Sequence, residues 1–303
     1  MNRNGDKYSR RVLWMGVLAA LLAGAAAAAE LTPQTSAAFD RYTRAREAQI
    51  AGELKEPGKF FWFDGLSPEL REKIYERLRH QEIIIERRET RDGNQEIKIP
   101  EGMVHHWMGA AFLPGSTLAQ VLAVVQDYNH HQDIYRPDVR RSKLESRDEN
   151  KFRVWMQLYK KTIITTAMDV QFEVQYFKLD ASHVYSQSHS TRIAEVGKLG
   201  EPGEYECTVG LDHGYLWRLY SYWRFQEKDG GVYVQVESIG LTRDVPEVVA
   251  MIVRPLISRI PRETLGNLLA FTRNEVMKRN APAGKAAERE PQNIAMPAAK
   301  RGA

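Results

Sequence analysis

The chain has 303 residues, 43% of them hydrophobic and 27% charged, with 43 Lys and Arg against 39 Asp and Glu. That is enough apolar material for one large core with extensions. Most of the positive excess lies in the first 29 residues; without them 39 basic side chains face 38 acidic ones, a balance that offers nucleic acid no basic face. The lone Cys207 excludes an intramolecular disulfide and leaves stability to packing.

Arg3, Lys7, Arg10 and Arg11 precede an uncharged run over residues 12–29 that ends in five alanines. This pattern is that of a signal peptide, residues 1–29, with cleavage near Ala29 and an exported chain, periplasmic or secreted. Ser9-Arg10-Arg11 before Val12-Leu13-Trp14 resembles a twin-arginine export signal. An uncleaved anchor is the alternative, since 18 residues just suffice to span a bilayer.

Residues 30–100 read as an extension of helices plus a small hairpin. A charged helix over residues 32–56 carries Phe39, Tyr42, Ala45 and Ile50 on one face, and Pro57-Gly58 ends it. The aromatic run Phe60-Phe61-Trp62-Phe63 is expected to dock this extension onto the main domain. Ser67 and Pro68 are the N-cap and first residue of a helix reaching His80. A strand over 82–90 follows, then a turn at Asp92-Gly93 into a separate small hairpin.

The main domain, residues 101–280, opens on a strand over 103–113. Thr117 and Gln120 have capping-box spacing ahead of Leu118, Val121, Leu122 and Val125, predicting a helix that runs to about residues 129–132. Strand-like segments then follow over 138–146, 151–164, 166–179 and 183–196. In the third of these Met168, Val170, Phe172, Val174 and Tyr176 alternate with polar residues, as one buried and one wet face require. Residues 212–244 form the clearest hairpin, turning at Asp229-Gly230, a pair suited to a type I′ turn. From Pro246 to about Lys278 the pattern is helical, split at Pro255 and Pro261, with Leu265, Leu268, Leu269, Thr272 and Val276 on one stripe. Residues 281–303 have the composition of a disordered tail.

This order of elements, with HHWMGAAFLPGSTLAQVLAVVQDYNHHQDIYRPDV and SYWRFQEKDGGVYVQVESIGLTRDVP, is similar to the START-like superfamily (SRPBCC, Bet v 1-like) over residues 103–279. The resemblance implies an α+β helix-grip fold: a curved antiparallel sheet of about seven strands wrapped around a long C-terminal helix. It implies a cavity between the two for a small apolar or amphipathic ligand. Its members include lipid carriers, cyclases and dehydratases.

No chemistry-bearing motif stands out, and no catalytic residue, metal site or cofactor is assigned. His130-His131 with Asp127 and Asp133, and His105-His106, are adjacent pairs whose side chains point apart, which metal ligands cannot do. Ser188, His189 and Asp212 have no nucleophile elbow behind them, and no phosphate-binding glycine pattern occurs. What remains is a set of polar groups among aromatics, as a site for an apolar ligand requires. The candidate lining is Trp107, Met156, Tyr159, Phe172, Tyr176, Tyr185, His189, Arg192, Trp217, Leu219, Ser221 and Trp223, with Val174 as further wall and Glu237 as a further polar group. The face from Trp217 to Trp223 is expected to be the concave one, because Arg218 and Arg224 on the other would be costly to bury unpaired.

The reading that follows is an exported domain that binds a lipid-like molecule without covalent chemistry and touches membranes transiently. A second reading is a cyclase or dehydratase using His189 and Arg192 on a polyketide-like substrate. A third is an envelope interaction module that docks a partner through residues 30–100. Oligomeric state is not legible.

Overall fold

In the computed structural model, which describes residues 29–161, 165–244 and 259–281, Asp229 and Gly230 both take positive φ, 57° and 73°. That is the backbone a type I′ turn demands. It locks Lys228 opposite Gly231, and the register then runs unbroken to Arg218 opposite Leu241. The hairpin strands, β12 (Arg218–Lys228) and β13 (Gly231–Arg243), are central to the sheet rather than at its edge.

Around them lie β5 (Gly102–Pro114), β6 (Val139–Asp148), β7 (Lys151–Lys161), β8 (Thr165–Lys178) and β9 (His183–Gly197). A short strand of the extension, β2 (Ile84–Arg87), joins the edge beyond β5. The order is β2-β5-β13-β12-β9-β8-β7-β6, antiparallel throughout and not closed. The first long strand therefore pairs with the last. Seven long strands are the expected number; β2 and the short β10 (Tyr205–Glu206) on β9 bring the sheet to nine. β3 (Arg91–Asp92) and β4 (Gln95–Glu96) make the small separate hairpin. β1 (Ala29–Glu30) pairs with β11 (Leu211–Asp212).

Among the described residues five α-helices accompany the sheet: α1 (Pro33–Glu53), α2 (Pro68–Arg79), α3 (Leu118–Val125), α4 (His131–Ile134) and α5 (Arg259–Asn280). The capping box of α3 forms as expected, with Thr117 and Gln120 each accepting the other's N–H. The helix is shorter than its apolar spacing suggests. It stops at Val125, and the chain continues through a turn into α4, where Tyr128, Ile134 and Tyr135 bury themselves instead. The expected break at Pro255, the signal segment 1–28 and the tail from residue 282 lie outside the described residues.

One face of the sheet receives α3, α4 and α5. There Phe172, Val174, Tyr176, Phe225, Val232, Val234 and Val236 pack with Val121, Leu265, Leu269 and Val276. Helix α5 is seated against β5 at Gly109, where an added Cβ would lie 2.8 Å from a Leu269 methyl and 3.2 Å from one of Leu265. A glycine is needed for that approach. Gly109→Val should cost about 1–3 kcal/mol by over-packing and shift α5 from β5; a lowered urea midpoint with loss of probe binding is the expected readout.

The opposite face is wet at β8, where Asp169, Gln171, Glu173 and Gln175 are half-buried or exposed as alternation predicts, but it is covered across β5, β13 and β12. α1, the turn of 3-10 helix at Trp62–Gly65 and α2 lie across it. Phe61 and Phe63 are buried with Tyr75, Phe112 and Tyr233, so most of the aromatic run closes a core between extension and sheet. Phe39, Tyr42 and Ile50 of α1 pack with Tyr222, Ile239 and Leu241. A second layer thus covers this part of the face, and Glu237 and Arg224 of the sheet find partners across the junction, whereas Gln235 accepts the Trp62 N–H and leaves its own Nε2 unpaired.

Candidate ligand site beneath the terminal helix

Each strand has two faces, and alternation assigns every expected site residue to one of them. Trp107, Met156, Phe172, Tyr176, Leu219, Ser221 and Trp223 share the helix side: all but Ser221 pack in or against that core, and Ser221 alternates in phase with Leu219 and Trp223. Val174 joins them on the helix side.

The remaining five lie on the outer face. Tyr159 alternates with the inward Met156 and Leu158, and the Arg140 guanidinium sits 5.5 Å from its ring. Tyr185 packs in the α1 cluster, stacked on Phe177. His189 stacks on Tyr220 at 4.2 Å and has its Nε2 2.9 Å from Glu47 of α1. Arg192 pairs through both terminal nitrogens with Glu206 of β10. Trp217 is 3% exposed in the α1 cluster and donates its indole N–H to Asp212 at 3.2 Å.

The reasons are physical. β12 begins only at Arg218, after the turn at Gly214 with φ 68°, so its alternation does not extend back to Trp217. On β9 one extra residue bulges opposite the step from Gln171 to Phe172, which reverses parity and keeps Arg192 on the same side as His189. The premise about arginine was also incomplete. Arg224 is 1% exposed, but it is paired: it donates to Glu53 at 2.5 Å and to the Phe60 carbonyl at 2.6 Å.

Glu237, expected as a pocket group, belongs instead to the junction with α1. Arg46 donates to both its oxygens, at 2.5 and 3.0 Å, and to Glu53 at 2.7 Å. His106 Nε2 lies 2.7 Å from Glu237, and its Nδ1 lies 2.9 Å from the Tyr42 hydroxyl, which accepts the Thr90 N–H. If that hydroxyl donates to Nδ1, then Nε2 carries the proton and donates to Glu237. Two arginines, Arg46 and Arg224, then balance two carboxylates, Glu237 and Glu53. Burial alone would raise the Glu237 carboxyl, but hydrogen bonds from His106 and Arg46 outweigh it and bring the pKa down to about 2.

Two histidines on the helix side are held neutral. Burial pushes His105 down to about 4, with Arg87 adding to the effect, and its Nε2 lies 3.0 Å from Thr242. Burial likewise lowers His131 to about 4 between Tyr128 and Tyr135. Both lie below the ordinary 6.5, so each contributes stability that is full above that value and is lost as the pH falls toward 4. Glu237, lowered from 4.5, adds a second loss between 4.5 and 2. Urea midpoints across pH 7 to 3 should therefore fall in two stages, and His131→Phe should flatten the upper one.

The helix-side floor itself is apolar with a hydroxyl stripe. Opposed pairs run Val174–Ser188, Ser188–Ser221, Ser221–Ser238 and Ser238–Trp107 across five adjacent strands. Ser188 was named at the sequence level only within the unsupported triad, and Ser238 not at all. The two-residue turn already implied Ser221 opposite Ser238, whereas the place of Ser188 needed the β9 register. Around the row Trp107, Leu219, Trp223, Met156 and Phe271 are only half-buried, although they point into the domain. Side chains in a filled core are sealed; these are not. Deeper hydroxyls are satisfied: those of Tyr128 and Tyr176 meet at 2.9 Å, and Tyr135 lies 3.1 Å from Thr272, whose proton goes to the Leu268 carbonyl, whereas His131 Nε2 beside them has no partner.

Among the described residues no group of three or more His, Cys, Asp or Glu is placed to hold a metal ion, and none of their helices is long and apolar enough to cross a membrane. An open depression of about 440 Å³ at the hairpin tip includes Ser116, Thr117 and Glu227. Its carboxylate is already engaged by the Leu118 N–H at 2.6 Å.

No family model and no curated protein matches the chain. Among solved structures it is similar to a STAR-related lipid transfer protein from Xanthomonas axonopodis, at 14% identity over 59% of this chain and 96% of that one, TM-score 0.41. It is similar to the Zhui aromatase/cyclase from Streptomyces sp. R1128, at 11% identity over 60% and 99%, TM-score 0.39. The human StarD13 lipid transfer and protein localization domain shares 11% identity over 70% and 98%, TM-score 0.41. Likenesses this distant carry no argument, and the fold rests on the chain's own topology. With its first long strand paired to its last, a meander beyond, and the terminal helix seated across one face, this chain has an α+β helix-grip fold.

Proposed function

We propose that the protein binds an apolar or amphipathic small molecule between the helix side of the sheet and α5, without covalent chemistry. The carrying observation is the unsealed inner face: inward aromatic and aliphatic side chains left half-buried around a stripe of hydroxyls. Such a wall, mostly apolar with a few placed polar groups, suits a ligand of that kind. The cyclase reading loses the pair that motivated it, since His189 and Arg192 point away from α5 and face Glu47 and Glu206. The interaction-module reading loses much of its surface, because the aromatic faces of residues 30–100 are buried against the sheet.

Solvent extraction and mass spectrometry of protein purified from its host test the proposal. A stoichiometric apolar molecule is expected, as is uptake of a diacylglycerol labelled on an acyl chain. Finding neither would overturn the reading. Export is part of the same proposal: the basic residues before the apolar run support it, and N-terminal sequencing should find the mature chain starting near Glu30. A chain retaining Met1 in the membrane fraction would replace export by anchoring.

A further inference from the structure

Three serines from three neighbouring strands stand abreast on the floor beneath α5. Ser221 of β12 is opposite both Ser188 of β9 and Ser238 of β13, so neighbouring Cβ atoms are about 5 Å apart. Ser188 is 9% exposed. None of the three hydroxyls is hydrogen-bonded to another group of the described residues, and none is among the fully buried side-chain atoms left without a partner, so each is open to a water or a ligand. Ser190, further along β9, shows the contrast: its hydroxyl accepts the Leu219 N–H at 2.9 Å.

The surroundings restrict what could pair with the row. Helix-side positions within residues 168–176, 184–190, 219–225 and 232–242 hold aliphatic, aromatic, hydroxyl or glycine residues and no charged one. Two carboxylates at the strand ends are committed, Glu195 to His213 at 2.6 Å and Glu227 to the Leu118 N–H. A phosphate or carboxylate drawn onto this floor would give up its hydration and meet no cation among those positions; Lys160, on the helix side of β7, is committed to Asp138 and Glu263. A hydroxyl or carbonyl would meet groups able both to donate and to accept.

We infer that the Ser188–Ser221–Ser238 row is the polar subsite of the ligand site and that it selects an uncharged molecule, one with hydroxyl or carbonyl groups on an otherwise apolar skeleton. The inference rests on the ligand-binding reading above. It is tested by fluorescence titration of the purified protein with two probes that share acyl chains and an acyl-borne label, a diacylglycerol and a phosphatidic acid. The uncharged probe should bind at least about ten-fold tighter. In the triple variant Ser188→Ala, Ser221→Ala, Ser238→Ala, its affinity should fall at least about ten-fold while the urea midpoint stays or rises, since no internal hydrogen bond is lost. Equal or tighter binding of the phosphatidic acid to the unaltered protein overturns the inference, independently of how the variant folds. So does a triple variant that binds as before, or one whose midpoint drops, which would give the hydroxyls to the fold. If neither probe binds the unaltered protein, ligand binding itself is refuted and the inference falls with it.

Discussion

Replacing Glu237 with alanine should destabilise the protein by about 3–5 kcal/mol, the usual cost of stranding a buried charge. Glu237 is fully buried and accepts from Arg46 through both oxygens, with His106 on the same site. Without it Arg46, 5% exposed, keeps only Glu53 and Gln49. In a domain of this size the loss corresponds to roughly 10 °C in Tm. Arg46→Met should cost a similar amount, and the double variant Arg46→Met, Glu237→Ala less than the sum of the two singles, because the second change removes the charge that the first left unpaired. Urea unfolding gives the energies, and limited proteolysis after Glu53 reports whether α1 has come loose. A loss under about 1 kcal/mol for Glu237→Ala would show that α1 is held by Phe39, Tyr42 and Ile50 and not by the ion network.

Ser221→Trp should abolish uptake of the acyl-labelled diacylglycerol, by about a hundred-fold or more, while changing unfolding by less than about 1 kcal/mol. Ser221 is half-buried on an inner face whose neighbours are unsealed, so an indole would occupy the space intended for ligand. Val236→Trp is the control. That side chain is 0% exposed on the same floor, and forcing in an indole should cost at least the ~1–3 kcal/mol of an over-packed core. If both variants destabilise alike, the inner face is filled at Ser221 too and the ligand-binding reading fails.

Outer-face chemistry explains why the sequence misplaced five candidate residues. Tyr185, His189 and Arg192 are the residue types a pocket would use, and an isolated strand can show a polar residue beside an aromatic without showing what lies above it. In the folded chain Glu47 lies against His189, Glu206 holds Arg192, and Phe39 and Tyr42 share the cluster of Trp217. Glu47 is separated from His189 by more than a hundred residues, so no local pattern could announce the pair. Arg224 is buried for the same reason: an arginine is costly to bury only when alone, and Glu53 and the Phe60 carbonyl come from the extension.

The sequence by itself determined the local geometry: the turn at Asp229-Gly230 and its register, the inward stripe from Met168 to Tyr176, the α3 cap, and the apolar stripe of α5. Each depends on interactions within a few residues or on a fixed period of two or 3.6. Through that register it also held half of the hydroxyl row, Ser221 opposite Ser238. Tertiary structure alone decided that β5 pairs with β13, that a bulge in β9 keeps Arg192 outward, that Ser188 completes the row, and that α1 roofs the far face. Those outcomes depend on which distant surfaces bury one another and which buried charges find partners, and neither is written in any single stretch of chain.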